Sequence, residues 1–493
     1  MAFPKICGIE TEYGITIIGQ GDFNPVVGSS LLINSYADTE ARRVRWDFDD
    51  ESPGRDARGY MIDGASPPEI ETHLVNVVLT NGARYYVDHA HPEYSSPEVL
   101  TPLEAVLYDR AGELILARSA AAVQRVLPPG ERIVVYKNNS DGKGNSYGTH
   151  ENYLLNRSVA FSTIVSHMLT FFATRQVVVG AGKVGSEHGQ PACNYQISAR
   201  ADFFEEEVGL ETTLKRPIVN TRDEPHADPS RWRRLHVIVG DANMSEVSTF
   251  LKIGTTALVL SMIEDMEIEP IGLLNPVGAM RDISHDPTCR QIVQLSDGGT
   301  ATAVEIQWGY FEKVKKYLKE RDEDPDPCAD EIMTRWEQVL TALEVDPMRL
   351  NGVLDWPSKL ALIQAYRERN DLSWDSPKLR MIDLQYSDVN PKKGLARRLV
   401  QTGRLETLVS EEAVVEAIRV PPESTRAYFR GRCLDRFSSS IVAANWDSLV
   451  FDTEEDLLQR LPMLDPTRGT KSAVGALLDE CRTPAELIEK LTS

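Results

Sequence analysis

Cys7-Gly-Ile-Glu10-Thr-Glu12-Tyr-Gly14-Ile-Thr-Ile17 decides the fold class. Across residues 5–18 the chain alternates: Cys7, Ile9, Tyr13, Ile15 and Ile17 fall on one face, and Gly8, Glu10, Glu12 and Gly14 on the other. A repeat of two with one apolar face predicts a single strand over this stretch. Same-face neighbours stand about 7 Å apart along a strand, so both carboxylates project from one side of a sheet. Strand carboxylates are most often solvated surface groups. Here Gly8 and Gly14 on the same face leave room for something bulky above the sheet. Magnesium prefers hard oxygen ligands and usually shares them with nucleotide phosphates, and such carboxylates can supply them.

A second strand follows the turn Asn81-Gly82, running Ala83-Arg-Tyr-Tyr-Val-Asp88, with Arg84, Tyr86 and Asp88 on one face. It leads into His89-Ala-His91-Pro-Glu93-Tyr94. A polar loop at a strand end would also carry charges. An Arg, a Tyr, an Asp, two His and a Glu so close together favour a site, and Pro92 fixes the direction in which Glu93 leaves. A third set comprises Lys137-Asn-Asn139, Asn145-Ser-Tyr-Gly148, His150-Glu-Asn152, Arg200, Arg222 and His236. Each is unremarkable alone, and a lone His on a buried strand is more often a satisfied core histidine than a ligand. Val179-Gly-Ala-Gly-Lys183 fails the phosphate-loop spacing and reads as a Gly-rich turn. The zinc-protease, serine-hydrolase and dinucleotide fingerprints are absent.

Further along, periodicity predicts a helix near 102–126, strands at 132–137 and 150–155, a helix over 159–176, a strand over 235–240 and a buried helix from Ser245 through Ile263, with Ser245 as N-cap. Helices at 301–320, 329–344 and 357–368 follow. The chain breaks near Val420-Pro-Pro-Glu423, and the last ~70 residues read as a small α/β appendage. Residues 40–74 carry no periodicity. With eight acids between Asp47 and Glu71 and few large apolar side chains, they read as a long mobile loop, and excising about 49–72 would leave stability nearly unchanged.

The length of 493 residues suggests two or three domains. Lys and Arg total 53 against 74 acids, a net charge of −21. That argues against a general nucleic-acid binder, whose affinity rests on neutralising phosphates, while leaving room for a local basic groove. The six cysteines are scattered, as expected of free thiols in a reducing cytosol. The N-terminus lacks an apolar signal segment, and no apolar run approaches the ~18 residues of a membrane helix. The expectation is a soluble, cytoplasmic protein with neither nucleic acid nor membrane as partner.

At these motifs the chain resembles the Pup ligase/Dop family, which acts on the prokaryotic ubiquitin-like protein Pup. The resemblance rests on Gly8–Gly14, Asn81–Tyr94, Tyr136–Asn139, Ser146–Tyr153, Asn220–Asp228, Arg234–Asp241 and Asn445-Trp446-Asp447, in order along nearly the whole chain. It implies an α+β fold related to glutamine synthetase, with a curved mixed sheet carrying helices over residues 1–424 and a small C-terminal α/β domain over 425–493. It also implies bound ATP and Mg²⁺, with Pup and pupylated proteins as partners.

The family contains ligases and a hydrolase branch that deamidates Pup and removes it from conjugates. The insertion at 40–74 and the spacing Asp88-His-Ala-His91 resemble the hydrolase branch, because the ligases lack the insertion and are one residue longer at that motif. A ligase is the alternative. Position by position, the resemblance implies Asp88 as the catalytic aspartate and Glu10, Tyr86 and Glu93 as magnesium ligands, with His150 and His236 as further participants. Arg84, Ser96 and Trp446 become nucleotide contacts and Arg200 a phosphate contact; Gly8, Glu12 and Asn152 join the same cofactor site. Asp88 would act either as nucleophile, through an anhydride with the glutamyl carbonyl, or as the base that activates water. Hydrolysis is downhill, so ATP would be a bound cofactor and need not be consumed.

Overall fold

The computed structural model describes residues 4–21, 23–40, 44–48, 51–61, 75–265, 268–321, 326–453 and 457–492. Its first eight strands are β1 (Cys7–Glu12), β2 (Gly14–Ile18), β3 (Arg45–Trp46), β4 (Asn76–Val78), β5 (Arg84–Asp88), β6 (His91–Ser95), β7 (Arg132–Tyr136) and β8 (Thr149–Asn156). Two short ribbon strands, β9 (Lys183–Val184) and β10 (Tyr195–Gln196), precede β11 (Phe204–Gly209), β12 (Arg216–Asn220) and β13 (Trp232–Val237). Six of these form the central sheet, in the order β13-β8-β1-β6-β5-β4. Every pairing in it is antiparallel, whereas β11 pairs parallel with β12.

Antiparallel strands separate two faces, and this sheet uses both. Cys7, Ile9, Tyr85, Val87, Tyr94, Tyr153, Leu155, Leu235 and Val237 point into the main core. Helix Pro102–Gln124 packs against β1 and β7, and helix Glu246–Asp265 packs against β8 and that first helix. The first helix is set by a capping box in which Thr101 and Glu104 satisfy each other's backbone amides. The second begins where Ser245 Oγ accepts from Ser248 N at 3.1 Å, as its N-cap role predicts. The architecture is α+β: one antiparallel sheet, helices on one face, and an open polar face on the other.

The structure corrects several expectations. Residues 5–18 are two strands rather than one. The chain turns at Tyr13, whose buried side chain joins the core, and β2 leaves to pair with β7. Gly14 still borders the cleft, but without open space above it: a Cβ there would meet Tyr147 Oη at 2.4 Å and Asn138 Oδ1 at 2.6 Å. The strand expected at 235–240 ends at Val237, because the carbonyls of Ile238 and Gly240 accept from the Arg200 guanidinium instead of from a ladder partner. Lys137 leaves β7 for the interior, donating to Asp109 and to Glu113 at 3.0 Å. Helix Glu246–Asp265 is, against the sequence expectation, long and apolar enough to cross a membrane; it is buried in the protein core over Glu246–Ile263.

The insertion is also more structured than its composition suggests. Helix Pro25–Glu40 runs up to it, and β3 lies inside it. β3 pairs parallel with the strand Ile441–Ala444, extending a sheet completed by the strands Ser448–Phe451 and Gln459–Pro462. Val44, Trp46 and Val78 thus join a second core built mainly by C-terminal residues. Residues 51–61 are tied down as well: Ala57 N donates to Thr221 O at 2.8 Å and Asp223 N to Arg55 O at 2.8 Å. Thr221 Oγ1 donates to Asp56 Oδ2 at 2.6 Å. The remainder of the expected loop, 41–43, 49–50 and 62–74, lies outside the described residues.

Candidate active site

Register on the polar face builds the site. Cross-strand partners lie side by side, with Cβ atoms roughly 5 Å apart. Gly8 on β1 pairs with Asn152 on β8, which pairs with His236 on β13. Two residues on, Glu10 pairs with His150 on one side and Ser95 on the other, and Ser95 with Arg84. Two further, Glu12 pairs with Glu93, and Glu93 with Tyr86. Asp88 closes the β5–β6 hairpin opposite His91, over a turn in which His89 adopts φ +51°. The polar face is thus a grid of acids and imidazoles, with Arg84 and Arg234 among them.

Two clusters emerge. Ligand atoms of Glu10, His150 and His236 lie within 4.8 Å of one another. Asn152 Nδ2 donates to Glu10 Oε1 at 2.8 Å. Arg234 Nη1 donates to Asn152 Oδ1 at 2.6 Å and sits 3.6 Å from Glu10 Oε1. His236 Nδ1 lies 3.0 Å from Asn152 Oδ1 and 3.2 Å from Arg234 Nη1; in the tautomer that donates to Asn152, the Nε2 lone pair is left for a metal. Burial and then the Arg234 charge hold His236 neutral, well below the usual imidazole pKa. Burial opposes ionisation of Glu10, yet His150, His236 and Arg234 together hold its pKa well below the carboxylate range.

The second cluster is Glu12, Asp88 and Glu93, again with ligand atoms within 4.8 Å. Among the described residues, Glu93 is acted on by acids and the Tyr86 phenol. Burial, then the charges of Asp88, Glu12 and Glu10, push its pKa well above the usual range. Asp88 behaves oppositely: burial would raise it, but His89 at 3.0 Å, His150 and Arg84 lower it. Three acids in one small space fit a divalent cation, which would relieve the repulsion. Tyr86 stands beside them as a neutral phenol, its pKa raised by burial and by Glu93.

The polar face opens into a cleft of about 1400 Å³, with a slot of about 90 Å³ at one end. Glu10, Ser95, His226, Arg234 and Trp446 border both. Gly8 floors the slot, and a Cβ there would meet only Ser96 Oγ at 3.7 Å and Pro97 O at 4.0 Å, so its smallness leaves open space. Ser96, Leu154, Pro225 and Trp446 help wall the slot. Along the cleft, Arg216 Nε and Arg222 Nε are buried with no hydrogen-bond partner among the described residues, which suits an anionic occupant.

A sequence profile described as Pup-ligase protein matches residues 5–450. The chain belongs to the Pup-ligase family. It is 53% identical to the depupylase of Acidothermus cellulolyticus, over 99% of both chains. It is 49% identical to the Pup deamidase/depupylase of Mycolicibacterium smegmatis, over 99% of this chain and 100% of that one. A solved Pup ligase, PafA, in complex with ADP superposes with a TM-score of 0.75 at 35% identity, covering 82% of this chain and 89% of the ligase.

Within this Pup-ligase fold the structure distributes the sequence-predicted residues unevenly. Gly8, Glu10, Glu12, Arg84, Tyr86, Asp88, Glu93, Asn152, His150, His236 and Trp446 all border the slot or the cleft. Ser96 lines the slot but its Oγ accepts from Ile9 N at 3.0 Å and donates to Pro97 O at 3.1 Å. Arg200 borders the cleft while directing Nε to Ser146 and Nη1 to two backbone carbonyls, which leaves Nη2 for a ligand. Burial and the neighbouring Arg216 lower its pKa to about 10. Sequence reasoning missed Arg234, Arg216, His226 and Glu51. Arg234 was detectable, two residues before His236 on the same strand face; Glu51 sits in an aperiodic stretch and had no signal.

Proposed function

We propose that this chain is a Pup deamidase and depupylase: it converts the C-terminal glutamine of Pup to glutamate and cleaves the isopeptide between Pup and a substrate lysine. The observation that carries the reading is Asp88, a carboxylate at the mouth of the β5–β6 hairpin, within 4.8 Å of Glu12 and Glu93 in an open cleft. Full-length identities of 53% and 49% to a depupylase and a deamidase/depupylase support the hydrolase over the ligase alternative, where the ADP-bound ligase matches at 35%.

ATP and Mg²⁺ are the proposed cofactors. The glycine-floored slot beside Trp446 suits a flat base, and the cleft's arginines suit phosphates. Glu10, His150 and His236 would hold one cation, and Glu12 and Glu93 another. When bound, the magnesium nucleotide supplies positive charge where oxygen charge develops. Asp88 would either attack the glutamyl γ-carbonyl or take a proton from an attacking water. In the first case an anhydride forms as the C–N bond breaks and ammonia or the lysine amine leaves with a proton, and water then hydrolyses the anhydride. In the second, the water attacks the carbonyl and displaces the same amine. Both roles require the ionised form that His89 and Arg84 favour. Glu93, whose surroundings favour a proton, is poised differently from Asp88 although the two are neighbours.

We further propose residues 1–424 as the catalytic unit and 425–493 as the small C-terminal unit, an assignment the second core supports. Six free cysteines support a reducing, cytoplasmic setting. The test is incubation of the purified chain with glutamine-ended Pup and Mg–ATP, followed by mass spectrometry. Conversion of the terminal amide to the acid is expected; unchanged Pup under saturating nucleotide would overturn the proposal.

A further inference from the structure

Arg84 is held from four sides, and two of them come from the insertion. Its guanidinium carbon lies 3.8 Å from the ring centre of Tyr86 and 4.0 Å from that of Trp46, so the cation is sandwiched between two aromatic faces. Nε donates to Asn76 Oδ1 at 2.8 Å, and Nη1 lies 4.0 Å from Glu51 Oε1. Trp46 Nε1 donates to the same Glu51 oxygen at 2.8 Å. Trp46 also meets Trp446 edge-on at 5.4 Å, and Trp446 borders both slot and cleft.

We propose that Trp46 and Glu51 are positioning residues for Arg84, which makes the ordered part of the insertion a component of the nucleotide-binding machinery. A long arginine side chain facing an open cleft samples many rotamers. Stacking between Trp46 and Tyr86, with Glu51 setting the angle of the fork, restricts it before any ligand arrives. The inference rests on the nucleotide reading above. It goes further by placing determinants of nucleotide affinity in a segment whose composition marks it as a dispensable surface loop.

The experiment is a double-mutant cycle on the full-length chain, read by calorimetry with a non-hydrolysable ATP analogue and Mg²⁺. Trp46→Ala and Glu51→Ala are each expected to weaken binding about tenfold, with Trp46→Phe and Glu51→Gln recovering part of the loss. The KM for nucleotide should rise more than kcat falls. In an Arg84→Ala background the same substitutions should cost little further. Trp46 is buried in the second core, so Glu51→Ala carries the test if Trp46→Ala fails to fold. Wild-type affinity in Glu51→Ala, or equal losses with and without Arg84, overturns the positioning role. Absence of binding by the wild-type chain overturns the nucleotide reading itself.

Discussion

Glu12 on β1 lies directly opposite Glu93 on β6, and both carboxylates come within 4.8 Å of Asp88. Carboxyls this close cannot all ionise without a cost, and burial with its acidic neighbours pushes the Glu93 pKa well above the usual range, on a strand in the middle of the sheet. The folded chain therefore carries an electrostatic strain that its catalytic face requires and its packing does not. Glu93→Gln should relieve it. The ligand-free variant should melt about 1–2 °C higher than wild type. The further rise on adding Mg–ATP should be much smaller in the variant, because an anionic oxygen is lost. Paired melting curves with and without nucleotide check both halves.

Asp88→Asn keeps the size and most hydrogen-bonding capacity of the side chain while removing its charge. Deamidation and depupylation should fall at least about a hundredfold, while affinity for the nucleotide analogue stays within about threefold. Robust cleavage by this variant would remove Asp88 from its role.

Glu98 gives a pH prediction away from the clusters. Burial opposes its ionisation, but Arg430 and Arg426 bring its pKa down from 4.5 to about 2. It contacts both guanidinium groups, joining the C-terminal helix Ala427–Phe437 to the segment after β6. A lowered folded-state pKa contributes stability above the unfolded value, and this is lost as pH falls from 4.5 toward 2. Glu98→Gln should therefore cost about 3 kcal/mol near neutral pH. The gap from wild type should shrink between pH 4.5 and 2 in denaturant titrations. A gap independent of pH would show that the ion pairs contribute nothing there.

The part of the site that alternates was legible. Gly8, Glu10 and Glu12 share a face because strand geometry repeats every two residues, and Arg84, Tyr86 and Asp88 do so for the same reason. Which strands lie side by side is not local information. The grouping of Glu12 with Asp88 and Glu93, rather than with Glu10 alone, depends on register between strands about eighty residues apart in sequence. The break at Tyr13 was hidden because the polarity pattern continues through it. Trp46 pairs with Ala444, nearly four hundred residues away, so nothing near 40–74 in the sequence signalled that β3 completes a distant sheet.

The anchoring of residues 51–61 to Thr221 and Asp223 changes what truncation should do. Asp56 accepts from Arg58 Nη2 at 2.8 Å and Thr221 Oγ1 at 2.6 Å, and its pKa falls to about 2 through these bonds despite the opposing effect of burial. Asp56→Ala should destabilise the chain by about 1–2 kcal/mol. Excising residues 49–72 should lower the melting temperature, whereas deletion of 62–74 alone should leave these described contacts intact. Scanning calorimetry of the two deletions separates them.

The most direct test of the account is stoichiometry. A purified Pup conjugate is incubated with the chain and labelled Mg–ATP, and released substrate and ADP are counted in the same reaction. The account predicts free substrate and glutamate-ended Pup with far less than one ADP per bond cleaved. One ADP for each isopeptide formed, with no release, would contradict it.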